Sequence, residues 1–78
     1  MPVPGLAHEG PALSEVLKRI QTMDSLFLAS FYMNKGVALM DMGQPEEALL
    51  AFEQALHLKP TYALAHYNKG IALKELGK

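Results

Sequence analysis

The tripeptide Asn34-Lys35-Gly36 returns as Asn68-Lys69-Gly70, 34 positions later, in a chain of 78 residues. At that offset residues 29–44 and 63–78 share seven identities: Ala29/Ala63, Asn34/Asn68, Lys35/Lys69, Gly36/Gly70, Ala38/Ala72, Leu39/Leu73 and Gly43/Gly77. Val37/Ile71, Asp41/Glu75 and Met42/Leu76 keep their chemistry. A period of this length belongs to a helix-turn-helix unit. Such a unit cannot bury both faces alone, so it stacks on a neighbour. The repeat therefore constrains the chain to packed helix pairs.

The local signals agree. Residues 1–12 hold three of the five prolines and two of the six glycines, and read as an irregular arm. From Leu13 the spacing of Leu13, Val16, Leu17, Ile20 and Met23 makes one helical stripe. Asp24 or Ser25 is expected to break this helix and cap the next. The second helix, about 26–42, is apolar almost all round and expects neighbours on several sides. Gly43 stops it. Pro45 opens a third helix, about 45–58, with Glu46 and Glu47 at the positive end of its dipole. Lys59-Pro60 ends that helix, and Thr61 is placed to cap a fourth, about 62–76, closed by Gly77. No segment alternates with period two, so no strand is expected. The expected architecture is all-α, with about four helices in antiparallel helix-turn-helix repeats.

Tyr32, Gly36, Leu39, Gly43, Ala48, Phe52, Ala55 and Pro60 stand at the spacing of one motif across two helices and both turns. In this the chain resembles the tetratricopeptide repeat (TPR) family. The resemblance implies a full repeat over 29–62 and the first helix of a second over 63–78, where Gly70, Leu73 and Gly77 continue the motif and His66 replaces its first aromatic. Residues 13–24 match as a divergent second-helix equivalent, with Val16, Ile20 and Met23 in the roles of Ala48, Phe52 and Ala55. The small residues Gly36 and Ala48 let two antiparallel backbones approach, and Tyr32, Leu39 and Phe52 fill the volume around them. Gly36 and Gly70 are both read as packing glycines.

The resemblance also implies a function: a non-catalytic protein-interaction module whose first helices line a concave face. The positions carried over to that face are Met33, Asn34, Val37, Met40 and Asp41, then Tyr67, Asn68, Ile71, Lys74 and Glu75. Asn34 and Asn68 suit a peptide backbone through their side-chain amides. Met33 and Val37 stand where family members that clamp a carboxylate terminus carry Lys and Asn, so an apolar peptide or helix is the expected partner. The alternative is that Met33, Val37 and Met40 are simply buried.

Composition narrows the remaining classes. Half the residues are apolar and the net charge is −1, which gives no basic field for nucleic acid. There are no cysteines, hence no disulfide or thiolate metal site. No apolar run reaches the ~20 residues that span a bilayer, and no signal-peptide pattern is visible, so a cytoplasmic protein is expected. His8, His57 and His66 lack metal-ligand spacing; His57 reads as solvated and His66 as a packing residue. Glu46 and Glu47 point ~100° apart on a helix and serve its dipole rather than acid–base chemistry. No nucleophile, base and orienting group assemble, so no enzyme activity, metal or cofactor is expected.

Self-association, as a homodimer, is the expectation for the surplus apolar surface. The fourth helix carries the line Ala63, His66, Tyr67, Gly70, Leu73 and Leu76 with no following helix in the sequence. A large exposed apolar patch is unusual on a monomer. Exchange of the 13–23 helix and end-to-end stacking are two routes to a two-fold pair. A self-assembling structural piece and part of a longer repeat array remain alternatives to the partner-binding reading.

Overall fold

Glycines at two helix ends set the outline. In the computed structural model, which describes residues 12–77, α1 spans Leu13–Asp41, α2 spans Pro45–Leu58 and α3 spans Ala63–Glu75. Gly43 takes φ +73°, its N–H donates to the Met40 carbonyl, and the Gln44 N–H donates to the Leu39 carbonyl. This pair of bonds is the Schellman closure, which needs a left-handed residue after the helix. Gly77 takes the same left-handed conformation at φ +76°, and its N–H donates to the Lys74 carbonyl. Pro45 then starts α2, where its missing N–H costs no helical bond. The short turn folds α2 back along α1 as a helical hairpin, and α3 packs mainly on α2.

Among the described residues there are three helices, where about four were expected. Asp24 and Ser25 do not interrupt α1, which runs unbroken for 29 residues. A break there would orphan backbone donors and acceptors on both sides. Asp and Ser inside a helix each cost well under ~1 kcal/mol, and no Gly or Pro stands nearby to force a stop. Thr22 is accommodated by donating its hydroxyl to the Lys18 carbonyl, 2.9 Å away. Thr61 is not the cap of the last helix either; Tyr62 holds that position and makes no side-chain capping bond. The expected irregular arm falls, apart from Ala12, outside the described residues.

The core is built of small residues around one ring. Ala29, Gly36, Ala48, Ala51, Phe52, Ala55, Ala65 and Ala72 are the buried positions. Phe52 is fully buried between Ala48 and Ala72, with Leu39, Met40 and Leu49 packed around that cluster. A Cβ built on Gly36 would fall 2.6 Å from Phe52 Cδ1 and 2.8 Å from its Cζ. Real carbon contacts are ~3.5–4.0 Å, so only glycine lets the ring lie against the α1 backbone.

Gly70 behaves differently. It is exposed, and a Cβ there would meet nothing within 4 Å. The packing role read for both glycines holds for Gly36 and fails for Gly70, because no ring lies over α3 as Phe52 lies over α1. The fourth-helix packing line is likewise turned outward at Ala63, His66 and Tyr67, while Ala65 and Ala72 face the core.

Candidate protein-interaction surface

The two helices expected to line a concave face, the C-terminal half of α1 and α3, do meet. The Asn68 amide donates to Met33 Sδ at 3.5 Å, and the Ser30 and Tyr62 hydroxyls stand 3.5 Å apart. Both contacts are long for their type and contribute modestly. They still place the first helices of the two repeat copies side by side.

The candidate residues then separate into two groups. Met40 packs on the Phe52 cluster and is a core residue in this arrangement. Met33 and Asn68 are half-buried and spent on each other. Asn34, Val37, Tyr67 and Lys74 are exposed, and Ile71 is half-buried. Asp41 and Glu75, carried over with them, are exposed at the helix ends. The exposed members of the set are an amide, an aliphatic side chain, an aromatic ring and an ammonium. Among the described residues no cluster of three or more His, Asp or Glu side chains could hold a metal ion, and no helix is long and apolar enough to cross a membrane.

The motif residues take their places as packing residues or turns. Gly36, Ala48, Phe52 and Ala55 are buried, Tyr32, Leu39 and Leu73 half-buried, Gly43 is the left-handed turn residue, and Pro60 is exposed in the α2–α3 turn. The substitution at His66 has its own account. Its ring is exposed rather than packed, with Nε2 2.7 Å from the Pro60 carbonyl, so it ties α3 back to the turn that precedes it. Beside it, the Lys59 ammonium lies 4.9 Å from the centre of the Tyr62 ring.

A TPR repeat model matches residues 36–77, more than half of the chain. The chain belongs to the TPR repeat family. TPR proteins as a class mediate protein–protein interaction and are typically non-catalytic. An uncharacterized protein of Methanocaldococcus jannaschii is 42% identical over 50 residues, which is 64% of this chain. The match spans only 58% of that relative's length. No solved structure matches the chain.

Two further surface features stand out. A shallow cleft of about 370 Å³ lies between α1 and α2, lined by Tyr32, Lys35, Leu39, Glu47, Leu50, Ala51 and Gln54. The second is the N-terminal half of α1, which carries large apolar side chains in the open: Leu13 is 74% exposed, Met23 67% and Phe27 76%. The stripe itself was legible. Its direction was not, because a break at Asp24 would have reset the helical phase.

Proposed function

We propose that this TPR protein is a non-catalytic partner-binding module, or scaffold element, that holds an apolar peptide or helix against α3 and the C-terminal half of α1. The observation that carries the reading is the juxtaposition of those helices with Asn34, Val37, Tyr67 and Lys74 exposed on them. Val37 and Tyr67 offer apolar contact area, Asn34 a donor and acceptor for a peptide backbone, and Lys74 a charge near one end. Met33, Asn68 and Met40 support the surface from beneath, and Ile71 fills its floor. A cytoplasmic setting belongs to the same proposal, and the cysteine-free composition fits such a reducing compartment.

The test is binding to an array of apolar and amphipathic peptides, repeated with Val37→Glu and with Tyr67→Ala. Both side chains are exposed, so helicity by circular dichroism should be unchanged. Loss of binding in both variants supports the surface. Peptide binding that neither substitution alters would place the partner elsewhere.

A second reading, association of the chain with itself as a dimer, is favoured by the apolar side chains exposed along α1. Pairing through the N-terminal half of α1 does not use Val37 or Tyr67, so one protein can do both, whereas stacking through α3 would compete for Tyr67.

A further inference from the structure

We propose that two copies of this chain pair through residues 13–27 of α1 as a parallel, two-stranded helical seam. The inference rests on the self-association reading and gives it a surface, a direction and a register. Leu13, Val16, Ile20, Met23 and Phe27 are spaced by three and four residues in strict alternation, the a/d pattern of a left-handed coiled coil. All five are exposed, from 36% at Val16 to 76% at Phe27.

The phase of the helix leaves that seam open. At 100° per residue the seam lies roughly 170° around α1 from Ala29 and Gly36, the small residues buried against α2. The repeat therefore hangs off one side of α1 and the seam faces the other. Beyond Phe27 the a/d line turns polar at Ser30 and Asn34. Ser30 is also where α3 approaches, through Tyr62. The seam ends where a second copy would begin to meet the folded repeat.

The flanking residues choose the direction. In a parallel pair each g position faces the e position five residues on in the other copy. With Leu13 at a, these pairs are Ala12 with Leu17, Arg19 with Asp24, and Leu26 with Phe31. Apolar residues meet apolar residues, and the one cation meets the one anion, twice by symmetry. An antiparallel pair layering Val16 on Phe27 and Ile20 on Met23 would instead place Arg19 beside Leu26 and Asp24 beside Leu17. That arrangement strands both charges against apolar side chains, which is costly once water is excluded. The Lys18–Glu15 contact at 3.9 Å lies on the outer positions f and c and does not engage either seam charge.

The seam is about 22 Å long at 1.5 Å per residue, which puts it among small, weak interfaces that populate at high micromolar concentration. Sedimentation of the full chain at about 100–300 µM should show a monomer–dimer equilibrium. Arg19→Asp should weaken it about tenfold, by turning two attractive pairs repulsive, and Arg19→Asp with Asp24→Arg should restore it. The chain has no cysteine, so single Val16→Cys and Met23→Cys variants report direction cleanly. In a parallel pair each oxidises to a disulfide dimer by itself. Cross-linking only when Val16→Cys is mixed with Phe27→Cys would overturn the parallel seam while keeping self-association. A dimer insensitive to Ile20→Glu but dissolved by Leu73→Glu would overturn the seam in favour of stacking through α3. A monomer throughout the concentration range would overturn both readings and leave peptide binding standing.

Discussion

Replacing Gly36 with alanine and Gly70 with alanine puts the same methyl group at matching positions of the repeat, and the two changes should move stability in opposite directions. At Gly36 the methyl would be 2.6 Å from Phe52 Cδ1 and 2.8 Å from Cζ. The ring is fully buried against Ala48 and Ala72 and has little space to withdraw into. Overpacking of this kind costs about 1–3 kcal/mol. Alanine recovers about 1 kcal/mol of helix propensity over glycine. The net expectation for Gly36→Ala is a loss near 1 kcal/mol, and up to about 2 kcal/mol if the ring cannot shift. At Gly70 there is no contact within 4 Å, so only the propensity term acts and Gly70→Ala gains up to about 1 kcal/mol. For a domain this small each kcal/mol moves Tm by roughly 4–8 °C. Thermal melts by circular dichroism at low protein concentration should therefore separate the two variants by about 8–24 °C. Phe52→Leu in the Gly36→Ala background should show favourable coupling, since the two positions touch. The reasoning is refuted if Gly36→Ala is neutral or stabilising. It is refuted differently if Gly70→Ala destabilises as much as Gly36→Ala, which would mean that Gly70 is covered in solution.

Three further outcomes follow from the helix ends and the turn. Gly43→Ala should lower stability by about 1–2 kcal/mol, because alanine pays for the left-handed φ of +73° that the Schellman closure needs; an unchanged melt would contradict that backbone. Gln44 caps α2 without a side-chain bond, so Gln44→Asp should add about 0.5–1 kcal/mol through a cap and the helix dipole, read from the urea midpoint. His66→Ala removes an exposed ring nitrogen bonded at 2.7 Å to the Pro60 carbonyl and should cost less than about 1 kcal/mol; a cost well above that would show His66 packed after all.

The sequence by itself determined what is local or periodic. The 34-residue recurrence reports a repeated helical pair, and Gly43, Pro45, Lys59 and Gly77 mark turns whose backbone geometry depends on only a few neighbouring residues. Ala48, Phe52 and Ala55 could be placed in the core because spacing of three and four fixes which residues share a face. Tertiary structure decided the rest. Whether Asp24-Ser25 breaks a helix is a contest between a weak local preference and the backbone bonds a break would forfeit. Met33 and Met40 read equally well as groove or core. Their contacts, Met33 with Asn68 and Met40 with the Phe52 cluster, are made by residues far along the chain and are invisible to local spacing. Asn-Lys-Gly is written twice in identical letters, yet Gly36 is buried and Gly70 bare. The difference is the Phe52 ring, which lies against α1 and has no counterpart over α3. A side chain's periodicity is its own, but its burial belongs to whatever packs against it.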